Sequence, residues 1–251
     1  MKTIKHDGNM DDLAKERVLK WEHSAMEDLQ GHPNILKPLE LKLMGETTAS
    51  DIDSSTGPQC SYLLTEYCAN ETLMSFIKSS WILDERVICF QFLQITDAVH
   101  FIHRQGYAHM DLKVNNILLD EFFNIRIGDF GSALQMGTSK TTNKWRGTPH
   151  FMAPEVKNHT DKTKRFNPQK ADVYSLGVCL FVLLFKNYPK FKEGPLDDFC
   201  PFIMSEQRWN SRSAHVRHLL KRMLDPDPKK RADIFEVWNH EWLLSLQPGV
   251  E

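Results

Sequence analysis

Apolar residues recur at helical spacing between Val87 and Arg104 (Val87, Ile88, Phe90, Phe92, Leu93, Ile95, Ala98, Val99 and Ile102), and Gly106 stands just beyond them. That spacing makes one helix face apolar, and glycine is common where helices stop, so the segment is predicted to be a core helix. Ala171 to Lys186 reads as a second buried helix, and shorter helical patterns cover Val216 to Leu224 and Ile234 to Leu246. The first third of the chain differs. Thr3-Ile4-Lys5 looks extended, Met10 to Leu29 is charged and helical, and Ile35 to Leu43 and Tyr62 to Tyr67 have strand character. Between the last two, Gly45 to Gln59 is rich in Ser, Thr, Asp and Gly, which predicts an exposed loop joining two strands of one small sheet. From Leu73 onward helices dominate, apart from a hairpin predicted from Ile117 to Leu119 and Ile125 to Ile127, joined by Asp120 to Asn124. The expected class is α+β, with a small strand-rich lobe, a larger helical lobe and a ligand site between them. No internal repeat is present.

Composition narrows the class of partner. The chain has 251 residues, of which 41% are hydrophobic, enough for a sizeable core. A net charge of -2 gives no support for nonspecific binding to nucleic acid or to an anionic membrane, both of which need a concentrated positive field. The longest apolar run, Leu176 to Phe185, is shorter than the roughly 20 residues needed to cross a bilayer. Met1 to Asp7 lacks the apolar centre of a secretory signal, so an intracellular location, cytoplasmic or else nuclear, is the expectation. Cys60, Cys68, Cys89, Cys179 and Cys200 are odd in number and form no C-x-x-C pair, arguing against a disulfide framework or zinc knuckle. His100 with His103 and His215 with His218 are three apart, but spacing offers no third ligand to either pair, so local hydrogen bonding is expected. Nothing in the sequence indicates an oligomeric state.

The segment His109-Met110-Asp111-Leu112-Lys113-Val114-Asn115-Asn116, followed by Asp129-Phe130-Gly131, carries the chemistry. The predicted hairpin brings Asp129 back alongside Asp111 and Asn116, so two carboxylates, an amide and a cation converge where a nucleotide-bound metal could sit beside a reacting hydroxyl. Phosphoryl transfer asks for such a set: a carboxylate directed at the hydroxyl, oxygen ligands for a metal, and a cation facing phosphate. These residues, with Ala153-Pro154-Glu155 further on, resemble the eukaryotic protein kinase family over essentially the whole chain.

The resemblance implies one kinase domain over 1–251, with 1–67 an incomplete N-lobe and 68–251 the hinge and C-lobe. It implies ATP and Mg2+ as cofactors and a protein with a Ser or Thr acceptor as substrate. Asp111 would orient the acceptor and take its proton, Lys113 would stabilise the transferring phosphate, and Asn116 with Asp129 would bind magnesium. Lys2, in Met-Lys-Thr-Ile-Lys, would meet the nucleotide phosphates with Glu22 as its partner, Lys5 being the competitor for that role. Thr65 resembles the gatekeeper, Glu66 and Cys68 the hinge residues whose backbone meets adenine, and Leu118 a side chain lining the nucleotide site. Thr148, in Gly147-Thr148-Pro149, resembles the serine/threonine-type loop that shapes the platform for the substrate. Glu155 and Arg231 resemble a structural ion pair. The pattern from Ala171 to Val178 and the ending Asp225 to Arg231 most resemble calcium/calmodulin-dependent-type kinases.

Two departures stand out. Met110 replaces the arginine that in most kinases pairs with a phosphorylated residue, so phosphorylation of Thr138, Ser139, Thr141 or Thr142 is not expected to act as the main switch through that contact. The chain also starts at the lysine strand, without the preceding strands and glycine-rich loop, which reads as a truncated form. The alternatives are a kinase-fold binding module acting as scaffold or allosteric activator, and a small-molecule kinase.

Overall fold

In a computed structural model, residues 1–5, 10–43, 60–79, 83–157, 163–190 and 204–245 are described. Strand β1 (Lys2–Lys5) pairs antiparallel with β3 (Cys60–Thr65), and β3 pairs on its other side with β2 (Pro38–Lys42). In β3, Ser61 and Leu63 are buried while their neighbours are half-exposed, the alternation of a sheet with one covered face. The cover is α1 (Met10–Asp28), which buries Leu19, Glu22, Ala25 and Met26 at helical spacing.

The strand predicted from Ile35 to Leu43 is longer in sequence than in structure, and the one predicted from Tyr62 to Tyr67 lies two residues earlier, at 60–65. β3 ends at Thr65 because Glu66 turns its N–H to the Lys37 carbonyl at 2.9 Å and Tyr67 is 86% exposed. Ile35 and Leu36 leave the small sheet to meet the other lobe: Leu36 N–H donates to Ile127 O at 2.9 Å and Ile127 N–H to Asn34 O at 2.8 Å. One apolar run therefore serves two lobes, which periodicity does not distinguish. The predicted loop 45–59 lies outside the described residues.

Short helix α2 (Leu73–Ser79) leads to α3 (Glu85–Arg104), the predicted core helix, whose first turn is capped by the Asp84 carboxylate accepting from Arg86 N–H at 2.7 Å. Its stripe Ile88, Phe92, Ile95, Val99 and Ile102 is fully buried. The hairpin forms as expected, β5 (Ile117–Leu119) against β6 (Ile125–Ile127), with Asp120 closing the turn by accepting from Phe122 and Asn124 N–H. Two further strands, β4 (Tyr107–Ala108) and β7 (Leu134–Gln135), pair antiparallel. At two residues each they are too short for alternation to reveal.

After α4 (Pro154–Lys157) comes α5 (Pro168–Phe185), the interior helix. Asn167 caps it by accepting from Gln169 and Lys170 N–H, and Pro168 sits in the first turn, where its lack of a donor costs nothing. α5 is apolar enough to cross a bilayer by length and composition, but 83% of it is buried within the protein. α6 (Glu206–Asn210) and α7 (Ala214–Met223) follow, α7 meeting α5 at Gly177, where an added Cβ would lie 2.9 Å from the Leu224 side chain. The segment expected as one helix from Ile234 to Leu246 is two: α8 (Ile234–Trp238) and α9 (Glu241–Leu244). Asp233 and Glu236 form a capping box at the first, and His240 Nδ1 caps the second by accepting from Trp242 N–H at 3.2 Å. Val237, Trp242 and Leu243 are buried on both sides of the break, so the apolar pattern runs through it.

Candidate functional site

The loop from His109 to Asn116 is held from beneath by one carboxylate. Asp172, in the first turns of α5 and only 1% exposed, accepts from His109 N–H and Met110 N–H at 2.8 Å each, and its Oδ2 lies 2.9 Å from His103 Nε2. These bonds hold Met110 at φ 65, a left-handed conformation that a methionine rarely adopts unaided. The Met110 carbonyl in turn faces Gly147, at φ 116, where any Cβ would come within 2.7 Å of that oxygen. His109 reaches forward. Its Nε2 donates to the Gly128 carbonyl at 3.0 Å, which leaves Nδ1 to accept from Asp111 N–H at 3.2 Å.

On this platform Asp111, Lys113, Asn116 and Thr148 form one hydrogen-bonded cluster. Lys113 Nζ donates to Asp111 Oδ2 at 2.6 Å and to Thr148 Oγ1 at 3.0 Å, while Thr148 Oγ1 donates to Asp111 Oδ1 at 2.7 Å. Asn116 Nδ2 donates to the Asp111 carbonyl at 2.9 Å and to its Oδ2 at 3.2 Å. The Asn116 backbone carbonyl accepts from Gly128 N–H at 2.9 Å, which holds the residue before Asp129 against Asn116.

The third component spans the lobes. Alternation along β1 puts Lys2 on the same side as Ile4, which packs on the core. Lys2 Nζ donates to Glu22 Oε2 at 2.6 Å and to Asp129 Oδ1 at 3.0 Å. Lys5 holds register with Cys60 and its side chain lies outside what is described, so Lys2 is the lysine seen at the site. Burial works against charge on Lys2, but Glu22 and Asp129 outweigh it and raise its pKa. Burial raises the Glu22 carboxyl, with Lys2 acting in the opposite direction. Burial would raise Asp129 as well, but the Lys2 ammonium beside it holds its carboxyl below the usual range. Asp129 itself sits at φ 60, and Phe130, fully buried, packs its ring 4.9 Å from that of His109. α1 rests on the tight turn Phe130–Ser132, and Trp21 Nε1 donates to Ala133 O at 2.9 Å.

Between the lobes, Thr65 ends β3 and donates its hydroxyl to Glu66 O at 3.3 Å. The Glu66 side chain accepts from Lys37 N–H at 2.8 Å and lies 3.5 Å from Arg126 Nε. Cys68 and Leu118 are half-buried against the core, and burial first, then the Glu66 charge, pushes the Cys68 thiol up to about 11. The histidine pairs take local partners: the His100 ring lies tilted against that of Trp238 at 4.9 Å, His103 meets Asp172, His215 Nδ1 lies 2.9 Å from Glu241, and His218 meets His240 at 2.9 Å.

Direct hydrogen bonds thus join Asp111, Lys113, Asn116 and Thr148 in one cluster and Lys2, Glu22 and Asp129 in a second. Sequence reasoning missed Asp172, His103 and His109 as supports of the loop. The available signal was a lone acid in the apolar run of α5, since a buried carboxylate needs several donors.

Comparison with protein families matches residues 1–243 to the protein kinase domain. Among curated proteins the chain is similar to Serine/threonine-protein kinase chk1 of Schizosaccharomyces pombe, 33% identical over 205 residues, covering 78% of this chain and 40% of the relative. It is 37% identical over 188 residues to CBL-interacting protein kinase 10 of Oryza sativa subsp. japonica, covering 72% and 40%. It is 30% identical over 244 residues to Serine/threonine-protein kinase CHK1 of Saccharomyces cerevisiae, covering 93% and 42%. The chain spans about two fifths of the length of these relatives. With that match running through both lobes and across the Asp111 and Asp129 clusters, the chain belongs to the eukaryotic serine/threonine protein kinase family.

Proposed function

We propose that the chain transfers the γ-phosphoryl group of ATP to a serine or threonine hydroxyl of a protein substrate, with Mg2+ as the metal. The observation that carries this reading is the single hydrogen-bonded cluster of Asp111, Lys113, Asn116 and Thr148, set beside the Lys2–Glu22–Asp129 contacts.

Asn116 and Asp129 suit magnesium because an amide oxygen and a carboxylate are hard donors, and Mg2+ needs few protein ligands when phosphates and waters complete its shell. Asn116 spends its N–H groups on Asp111, which leaves its amide oxygen as the atom for a cation. The ion, when bound, neutralises phosphate charge. Lys2, kept charged by its two carboxylates and 48% exposed at its side chain, faces the nucleotide phosphates. The Glu66 carbonyl and Cys68 N–H hold the adenine edge, with Thr65 and Leu118 lining the same site. Asp111 orients the acceptor hydroxyl and takes its proton, and Lys113 offsets the charge that develops on the transferred group. Thr148 fixes the Asp111 carboxylate and shapes the surface under the residue that follows the acceptor. Lys113 and Thr148 together favour serine and threonine over tyrosine.

The reading is tested by incubating the protein with ATP and a mixed Ser, Thr and Tyr peptide library. Phosphoserine or phosphothreonine is expected in Mg2+ and none after chelation. Transfer only to free small molecules would overturn it.

Acidification tests the lysine set. Because burial raises the Glu22 carboxyl above 4.5 while Asp129 is held below 3.8, Glu22 is the first of the two to lose its charge as pH falls. Protonated Glu22 no longer balances Lys2, so ATP affinity is expected to weaken as pH falls through the raised pKa of the Glu22 carboxyl. Glu22→Gln is expected to bind weakly and with a flat profile over that range. A flat wild-type profile, measured with a fluorescent nucleotide, would remove Glu22 from this role.

A further inference from the structure

The segment leading into Gly147 and Thr148 carries Lys140, Lys144 and Arg146, and from Gly131 to Pro154 the chain holds no acidic residue. Two more cations join it from the start of α5. Phe166 pairs antiparallel with Thr142, exchanging backbone hydrogen bonds at 2.9 Å each, and so brings Lys164 and Arg165 beside the segment. Arg165 Nε donates to Thr141 Oγ1 at 2.9 Å, which lays its guanidinium along that strip. Lys140, Lys144, Lys164 and Arg165 are exposed and Arg146 is half-exposed.

Among the described residues none of these five cations forms an ion pair. The carboxylates of the neighbourhood are spent elsewhere: Asp111 on Lys113, Asp129 on Lys2 and Glu155 on Arg231. Arg146 Nη1 donates to Gly131 O at 3.3 Å, which sets the guanidinium beside the turn that follows Asp129, and the rest of its fork has no partner among the described residues. Trp145, between Lys144 and Arg146, is 55% exposed and gives a peptide an apolar surface to lie on. In a chain of net charge -2, such a strip is a local concentration of positive potential. It ends two residues from Thr148, whose hydroxyl donates to Asp111 Oδ1 at 2.7 Å.

We propose that this basic strip selects protein substrates whose acceptor hydroxyl is followed by acidic residues, with Arg146 and Lys144 as the specificity-determining side chains. The proposal rests on the phosphoryl transfer proposed above and names the class of its substrate. The register follows from chain dimensions. Thr148 lies under the residue after the acceptor, and Arg146 is at most about 7 Å of extended backbone away, a span that two substrate residues cover. An acid two or three places after the acceptor therefore reaches Arg146, and later acids reach Lys144. Lys140, Lys164 and Arg165 add longer-range attraction. Exposed pairs of this kind are individually weak and screened by salt, so the selection acts on binding, while Asp111 and Lys113 set the rate of transfer. The strip is short and abuts the Asp111 cluster, which favours a peptide over the longer phosphate track of a nucleic acid.

The test uses three peptides that differ only in carrying Glu, Gln or Lys at the second to fourth positions after a serine. With Mg2+ and ATP, the Glu peptide is expected to show a KM about tenfold below that of the Gln peptide, as a few weak ion pairs supply, with similar kcat and the Lys peptide poorest. The gap should shrink as salt is raised from about 0.05 to 0.5 M. Arg146→Gln and, separately, Lys144→Gln should each narrow it severalfold, with the Gln peptide still phosphorylated as a check that the variant is folded. Binding of the same peptides with alanine at the acceptor, read by fluorescence anisotropy, reports the preference without transfer. Preferential binding of the Glu peptide without transfer to any peptide would support the strip and count against the function proposed above. Transfer to all three peptides without a preference for Glu, or a preference that neither substitution moves, would overturn this proposal alone. Displacement of the Glu peptide by a single-stranded oligonucleotide at lower concentration than by the unlabelled Glu peptide would overturn it in favour of a nucleic-acid site.

Discussion

Asp111→Asn is expected to lower phosphoryl transfer by about 10²–10⁴-fold, the range associated with loss of a positioned general base, while nucleotide affinity changes little. The geometry explains the split. Asp111 Oδ1 accepts from Thr148 and Oδ2 from Lys113 and Asn116, so both oxygens act only as acceptors. An asparagine amide places an N–H₂ against one of these donors, turns the group or expels a neighbour, and offers no base for the substrate proton. The Asp111 carbonyl still accepts from Asn116 in the variant, so the backbone that positions Asn116 persists. Lys2, Glu22 and Asp129 do not touch Asp111, so the groups facing the nucleotide are unaltered. Single-turnover transfer beside equilibrium nucleotide binding separates the two effects. A variant retaining transfer within about tenfold of wild type would show that Asp111 is not the base.

Much of this arrangement is legible in the sequence, and the reasons differ by element. The hairpin is legible to the residue because Ile117 to Leu119 and Ile125 to Ile127 are bounded by Asp120 and Asn124, whose side-chain chemistry closes the turn. The reactive residues are legible because the loop is contiguous in sequence, so spacing alone nearly determines which groups meet. Support for the loop is not, since His103, Asp172 and His109 converge from α3, α5 and the loop itself. No local pattern encodes a meeting between residues 63 or 69 apart. The same limit hides the break at His240, where apolar residues on both sides face one core and only a side-chain cap marks the end.

These supports give the site a division of labour. Asp172 sets the backbone of the Asp111 loop from within α5, and Gly147 allows the Thr148 segment to approach the Met110 carbonyl. The loop and the substrate-facing segment thus meet through Thr148, and that segment needs its own anchor further along. Glu155, at the start of α4, supplies it.

Glu155→Ala is therefore expected to be the most destabilising of these substitutions. Arg231 has a side chain that is 0% exposed, and both of its terminal nitrogens donate to Glu155, at 2.7 and 2.9 Å. The remaining donors go to Lys170 O at 2.8 Å, Asp225 O at 2.9 Å and Pro226 O at 3.5 Å, and the guanidinium lies 5.0 Å from the Tyr174 ring centroid. Removing Glu155 leaves that cation buried without its counter-charge, a loss of about 3–5 kcal/mol. In a chain of this size the melting temperature should fall by about 10 °C. Arg231→Met alone removes the charge but orphans the Lys170 and Asp225 carbonyls and the Glu155 carboxylate, so it should also destabilise. Replacing both members by apolar residues should recover part of the loss, because the desolvation cost of the pair disappears with it. The distinction matters for function: if the pair anchors the segment, Glu155→Ala should also speed amide exchange at Phe151 and Met152, whose N–H groups bond Thr148 O at 2.9 and 3.2 Å. Calorimetry of the three variants and exchange at those two amides decide the matter. A melting temperature for Glu155→Ala within about 2 °C of wild type would mean that water or a rearranged side chain satisfies Arg231, and that the anchor lies elsewhere.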